Sequence, residues 1–227
     1  MSGARLGSSL GKKLIMAVTG LLLLGFVCMH LAGNLLIFLG PDALNAYAEK
    51  LEHLEDLLWV ARLGLLAATA AHIWSSIVLT IENRRARPSA YKRFRPEETT
   101  LAARMMAVSG LLVLAFIIYH LLHFTFRVTH PEISNLLDGH GRRDVYTMVV
   151  RSFQDPRIAL AYIVAMGLLC LHLSHGIRSA VQTLGVNPEQ LHPQADRISQ
   201  AAAILIMAGY MSIPLAVLTG VLAPGKL

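Results

Sequence analysis

Charged residues are scarce in this sequence. Only 15% of its 227 residues are Asp, Glu, Lys or Arg, against about 25% in soluble domains. Five stretches contain none of them: 14–41, 63–81, 105–126, 158–177 and 198–225. Because 55% of the residues are hydrophobic, the composition excludes an ordinary soluble domain and favours a membrane protein.

Cysteine is nearly absent as well. Cys28 and Cys170 are the two cysteines of the chain, and both lie inside uncharged stretches. The sequence has no CxxC and no spacing typical of a metal site, so it predicts neither a disulfide framework nor a structural zinc site. We interpret both cysteines as small packing residues.

The uncharged stretches are long enough to cross a membrane as helices. A helix needs about 20 apolar residues to span a hydrocarbon core of about 30 Å, and these runs are too long for the strands of a barrel. The sequence therefore predicts an all-α integral membrane protein, one domain over 1–227, with no soluble domain. The predicted spans are about 13–39, 57–82, 103–127, 157–182 and 197–222. The first span lacks a signal-peptide cleavage site and is expected to be retained.

The net charge of +6 could suggest nucleic-acid binding, but the positions of the charges indicate membrane topology instead. The loop between spans two and three holds six basic residues, whereas the first loop is mainly acidic. The positive-inside rule then places the N-terminus and the second loop in the cytoplasm and the C-terminus outside. The second loop is either a topology signal only or also a docking surface for a soluble partner. The six residues are Arg84, Arg85, Arg87, Lys92, Arg93 and Arg95.

One segment of the chain occurs twice. Residues 16–31 read MAVTGLLLLGFVCMHL and residues 106–121 read MAVSGLLVLAFIIYHL, with ten of sixteen positions identical. Each copy carries one histidine near its end, His30 and His120. The repeat predicts two equivalent hairpins, spans one–two and spans three–four, related by an axis along the membrane normal.

Six of the ten histidines lie inside spans, where an ionisable group is costly and usually functional. At a rise of about 1.5 Å per residue, His30 and His120 share one depth, the outer layer. His72 and His172 share another depth, the inner layer, roughly 10–20 Å away. The remaining two, His123 and His175, each follow a layer residue by three positions and are rival candidates.

Two imidazoles on facing helices at one depth are the axial ligands that a six-coordinate haem requires, so two layers predict two haems. Spans one to four are then expected to form a haem-binding four-helix bundle, and span five, which has no histidine, to pack outside it. Zinc would need three or four ligands, commonly with Cys or carboxylate among them, and none lies near. Copper held by two histidines is possible but leaves the doubled layer unexplained. Gly20 and Gly110 lie at the depth of the inner layer, where they either make room for a macrocycle or allow close helix packing.

Several strings resemble a known family of membrane proteins. They are TGLLLLGFVCMHLAGNLLIF around His30, NAYAEKL after it, SGLLVLAFIIYH ending at His120, and HLSHGIRSAVQTLGVNP starting at His172. With His72 in span two, the chain resembles the five-helix, dihaem cytochrome b anchor of succinate:quinone oxidoreductases, a family that also serves quinol:fumarate reductases.

This resemblance implies a specific function and set of partners. His30 and His120 would ligate a distal haem b, and His72 and His172 a proximal haem b nearer the cytoplasm. A flavoprotein and an iron–sulfur subunit would dock on the cytoplasmic face of a bacterial inner membrane. Electrons would pass between them and a quinone through the haems, without a dicarboxylate site in this chain. The candidate contacts for quinone or haem propionates are Gly33, Asn34, Arg127 and Arg178.

Two other functions remain open from the sequence. The cytochrome b subunits of hydrogenases and formate dehydrogenases also hold haem between histidines on helices. A haem-free transporter or assembly factor could use its histidines for ions or protons. Against this, no predicted span contains Asp or Glu apart from Glu82 at the last position of span two, and proton and cation relays usually need them.

Overall fold

A computed structural model describes residues 8–86, 101–185 and 188–224, and this part of the chain is helical apart from loops and one isolated bridge. Five of its helices are long and apolar enough to span a membrane, which confirms the predicted all-α fold and its five spans. The helices are α1 (Ser9–Leu35), α2 (Pro41–His53), α3 (Glu55–Arg85), α4 (Leu101–His120), α5 (Pro131–Ser134), α6 (Val145–Phe153), α7 (Pro156–Thr183) and α8 (Pro188–Leu218). A 3-10 turn, Leu36–Leu39, extends α1, and a π turn, Leu121–Thr125, extends α4.

The ends of the spanning helices follow local chemical signals. The Asp155 carboxylate accepts the backbone N–H of Arg157 at 2.8 Å, and Pro156 occupies the first turn of α7. Gly185, with a φ of 83°, follows the end of α7. Arg127 adopts a φ of 57°, a left-handed conformation uncommon for a residue with a side chain, where the chain leaves the π turn.

The third loop, which joins spans three and four, contains a helix that was not predicted from the sequence. In α6 the side chains of Tyr146, Met148 and Val150 are at most 5% exposed. Asp144 is the N-cap of this helix, and its carboxylate accepts the backbone N–H of Thr147 at 2.9 Å. With nine residues, α6 is too short to be predicted as a membrane span. Its apolar run VYTMVV follows a polar stretch, so the whole segment was interpreted as a polar loop.

Helix α2 and the third loop form a polar cap over the end of the domain nearest the outer layer. Asn45, 1% exposed, lies at its centre. Its amide donates to Asp138 at 3.2 Å and to Asp144 at 3.1 Å, and its oxygen accepts the backbone N–H of Tyr146 at 3.0 Å. The sequence of residues 42–56 predicts a short amphipathic helix, and this helix is present as α2, which ends at His53.

An arginine anchors the same cap. Arg142 forms ion pairs with Asp42 at 2.7 Å and with Asp138 at 2.8 Å. Burial alone would raise the pKa of Asp138, but the hydrogen bonds it accepts, first those from Arg142, outweigh burial and lower the pKa to about 2. Because the lowered pKa keeps Asp138 charged further into the acid range, the cap should keep its ion pairs until the pH falls toward 2.

The spanning helices pack in the order α3–α1–α7–α4, and α8 lies against α7 and α1. At the end nearest the inner layer, Lys12 pairs with Glu82 across α1 and α3, and Arg178 pairs with Asp196 of α8 at 2.8 Å. A buried hydrophobic cluster of the described residues lies at the other end, where Ile37, Val150 and Ile213 bring the cap against the spans. Of the basic second loop, Arg84 and Arg85 belong to α3, and the other four basic residues, like Arg5, lie outside the described residues.

Replacing Asn45 with Ala should destabilise the cap. Three hydrogen bonds are lost and a buried backbone N–H is left without its acceptor, so we expect the free energy of unfolding to fall by about 2 kcal/mol. Thermal unfolding of the purified protein in detergent, followed by circular dichroism, measures this effect. Asn135→Ala removes an exposed amide and is the matched control. Equal unfolding temperatures for the two variants would contradict the role given to Asn45.

Candidate functional site

The structure brings the outer-layer histidines together. His30 on α1 and His120 on α4 have ring centroids 5.9 Å apart and an interplanar angle of 83°. Both side chains are partly buried within the membrane-spanning region. The pair therefore joins the two copies of the repeat at matching positions.

The inner-layer histidines meet in the same way. His72 on α3 and His172 on α7 have ring centroids 6.4 Å apart and an interplanar angle of 68°. The ring that reaches His72 from α7 is that of His172, so the rival His175 does not make this contact. Each hairpin thus contributes one histidine to each layer, as the repeat predicts.

Both separations suit two imidazoles that bind one metal from opposite sides. A metal–nitrogen bond to histidine measures about 2.0–2.1 Å and the nitrogen lies about 1.1 Å from its ring centroid, so the centroids should be about 6.3 Å apart. The observed 5.9 and 6.4 Å are close to this value. Neither α1–α4 nor α3–α7 is among the closely packed helix pairs of the described residues. The helices that carry each pair are therefore not held together by tight backbone packing.

Hydrogen bonds orient the inner-layer rings. His72 Nδ1 lies 3.2 Å from the Met16 carbonyl oxygen and 3.3 Å from the Thr19 hydroxyl. His172 Nδ1 lies 3.4 Å from the hydroxyl of Ser109, which occupies the position of Thr19 in the second copy of the repeat. When Nδ1 carries the proton and donates it, the lone pair of a neutral imidazole is on Nε2, the arrangement a metal ligand requires.

The glycines of the repeat make room for these rings. A Cβ at Gly20 would lie 3.2 Å from His72 Cε1, and a Cβ at Gly110 would lie 3.2 Å from His172 Cε1. The sequence offered room for a macrocycle or close helix packing as explanations. The contact present is instead with the histidine ring. Since the same contact recurs in both copies, the two hairpins are built alike.

These contacts also give the spacing of the layers. His72 packs beside Gly20, ten residues before His30, and His172 packs beside Gly110, ten residues before His120. At about 1.5 Å per residue the layers are about 15 Å apart.

Aromatic residues surround His30. Phe26 stacks on its ring with centroids 5.3 Å apart, and Tyr210 of α8 approaches with centroids 6.3 Å apart. The Tyr210 hydroxyl donates to the Val27 carbonyl at 2.8 Å, which ties α8 to α1. Sequence reasoning missed Tyr210 because span five has no histidine and was expected to lie outside the haem-binding helices.

His123, the other rival candidate, is 0% exposed and has both ring nitrogens engaged. Its Nδ1 lies 3.0 Å from the Tyr162 hydroxyl and its Nε2 lies 3.1 Å from the Ser152 hydroxyl. The Tyr162 hydroxyl is also 3.4 Å from Nδ1 of His120. Tyr162 on α7 and Ser152 on α6 were not identified from the sequence, because nothing in their spacing connects these two helices with the histidines of span three.

Two of the candidate quinone and propionate contacts, Asn34 and Arg178, have polar partners within the protein. The Asn34 amide donates to the His30 carbonyl at 2.7 Å, so this residue adjoins the outer layer. A Cβ at Gly33 would lie 2.7 Å from the Tyr47 ring, so the glycine admits that ring. Arg127 lies at the outer end of span three, whereas Arg178 is at the inner end of α7 and pairs with Asp196.

Each layer offers a metal ion two ligands, and both are imidazole rings. Within the described residues, no group of three or more His, Cys, Asp or Glu side chains is placed to hold a metal ion. A pair of neutral imidazoles facing each other fits an ion whose other coordination positions are filled by a macrocycle, as in a haem with two axial histidines. The residues present therefore fit one haem in each layer.

Comparison with known proteins identifies the family. Residues 81–213 match the sequence model described as succinate dehydrogenase/fumarate reductase transmembrane subunit. The matched segment covers more than half of the chain and includes His120 and His172. Neither the comparison with curated proteins nor that with solved structures found a match. The chain belongs to the family of succinate dehydrogenase/fumarate reductase transmembrane subunits.

Proposed function

We propose that this membrane subunit passes electrons between an iron–sulfur subunit and membrane quinone through two b haems. His30 and His120 would hold the outer haem, and His72 and His172 would hold the inner haem. The observation that carries the proposal is the pair of facing imidazoles in each layer, with centroids 5.9 and 6.4 Å apart.

The protein orients the ligands and places them at two depths. Bound haem supplies one-electron chemistry. Hydrogen bonds to Nδ1 set the tautomer that presents Nε2, and they increase the basicity of the ligand. The layers are about 15 Å apart, which is half the thickness of a hydrocarbon core of about 30 Å. One layer would therefore lie in each half of the membrane.

The partners follow from the family and the charge pattern. A subunit of this family associates with the flavoprotein and iron–sulfur subunits of the oxidoreductase. We place both partners at the inner-layer end of the domain, on the cytoplasmic side of a bacterial inner membrane, because the positive-inside rule assigns the basic second loop to that side. The quinone would bind near the outer layer, beside Asn34 and Arg127, and the dicarboxylate would bind the partner flavoprotein.

Purification of the tagged chain from native membranes tests this assignment. We expect a complex that contains FAD and iron–sulfur centres and that reduces a quinone with succinate, or reduces fumarate with a quinol. Co-purification of a nickel or molybdenum subunit would instead identify a hydrogenase or formate dehydrogenase. A colourless preparation would identify a haem-free protein.

Removing one inner-layer ligand should remove one haem. In His72→Ala the inner iron loses an axial ligand, so we expect the haem content to fall from two to one per chain while the outer haem keeps its spectrum. The pyridine haemochrome assay measures the content. His53→Ala, at an exposed position, and His175→Ala should both retain two haems. Retention of two haems in His72→Ala would show that the pairing is wrong.

Filling the space at Gly20 should disturb the same site. A Cβ there already lies 3.2 Å from the His72 ring, so the larger side chain of Gly20→Val should displace the ring and lower occupancy of the inner haem. Gly25 lies on the same helix, and a Cβ added there would have nothing within 4 Å, so Gly25→Val is the matched control. Equal haem occupancy in the two variants would contradict the contact.

A further inference from the structure

A continuous chain of hydrogen bonds leads from the outer layer into helix α6. It starts at His120 Nδ1, 3.4 Å from the Tyr162 hydroxyl, and continues to His123 Nδ1 at 3.0 Å. It then runs from His123 Nε2 to the Ser152 hydroxyl at 3.1 Å and ends at the Met148 carbonyl at 2.7 Å. Tyr162 is 7% exposed and His123 0%, so water has little access to the chain.

One arrangement of protons satisfies every group in this chain. The Met148 carbonyl can only accept, so Ser152 donates to it and accepts from His123 Nε2–H. Neutral His123 then has its lone pair on Nδ1 and accepts the Tyr162 O–H. The Tyr162 oxygen is left to accept a proton from His120 Nδ1.

That arrangement has two consequences for the outer layer. It assigns the Nδ1–H tautomer to His120, which leaves Nε2 as the nitrogen with a lone pair. It also engages both nitrogens of His123, so this histidine has none left for iron. Because Tyr162 donates to His123 while it accepts from His120, its oxygen is a stronger acceptor than an isolated phenol.

The inner layer has no comparable extension in the hydrogen bonds of the described residues. Thr19 and Ser109, next to His72 and His172, each donate their hydroxyl to a backbone carbonyl of their own helix. At the inner layer, the side-chain hydrogen bonds therefore stop at Thr19 and Ser109 and do not continue to another helix. Among the described residues, the outer layer alone is connected to a helix of the cap by side-chain hydrogen bonds.

We infer that Tyr162 and His123 are positioning residues that fix the tautomer of His120 and lower the reduction potential of the outer haem relative to a site without this chain. The inference rests on the proposed role of His120 as an axial ligand. A stronger acceptor at Nδ1 makes the imidazole more electron-donating, and this favours the oxidised iron.

A redox titration of the purified complex that carries Tyr162→Phe tests the inference. We expect both haems to be retained, one midpoint potential to rise and the other to stay unchanged. The reduction equilibrium of the affected haem should change about two- to tenfold, the equivalent of one neutral hydrogen bond. Tyr146→Phe is the matched control, because Tyr146 is a buried phenol that donates to the Ala223 carbonyl in the same core. Unchanged potentials in Tyr162→Phe, or the same shift in Tyr146→Phe, would overturn the inference.

Two substitutions of His123 provide an independent test, including the case in which Tyr162→Phe fails to assemble. His123→Leu removes the acceptor of the Tyr162 hydroxyl and should raise the same potential, whereas His123→Asn keeps an acceptor and should restore it. Equal potentials in the two variants would overturn the inference. Loss of a haem from His123→Leu with retention in His120→Leu would instead overturn the proposed ligand assignment.

Discussion

A neutral imidazole inside a membrane has two nitrogens that each need a partner, and this constraint organises the interior of the protein. At His72, His120 and His172, Nδ1 is within hydrogen-bonding distance of a neighbouring helix. Each of these rings also faces a second histidine across the domain. The helices therefore have to meet at two particular depths, and the glycines, hydroxyls and aromatic residues around the rings follow from that requirement.

The duplicated segment meets this requirement twice with the same parts. In each hairpin the inner-layer histidine packs against a glycine of the partner helix and lies beside a hydroxyl group. The residues involved are Gly20 and Thr19 for His72, and Gly110 and Ser109 for His172. Phe26 and Phe116, which occupy equivalent positions of the repeat, pack on His30 and His120 respectively. The symmetry ends where His30 contacts Tyr210 and His120 contacts Tyr162. The two pairs of facing histidines therefore have unequal surroundings.

Much of this architecture could be predicted from the sequence because it depends on period and depth. Long uncharged runs predict the five spans, and the positions of the histidines along them predict which rings share a layer. Helix α6 was not predicted, because its nine residues are too few for a membrane span and because they come after a polar stretch of the loop. Tyr162, Ser152 and Tyr210 escaped it because their roles depend on contacts between helices far apart in the chain, which no local pattern encodes. The role of Gly20 and Gly110 was likewise assigned only by the ring contacts.

The central claim is that each layer of facing histidines binds one haem. The most direct test is the ratio of haem to chain in the purified wild-type complex, measured with its low-temperature electron paramagnetic resonance spectrum. We expect two b haems per chain, both low-spin with two imidazole ligands. A single haem per chain, or a haem with any other axial ligand, would contradict the account.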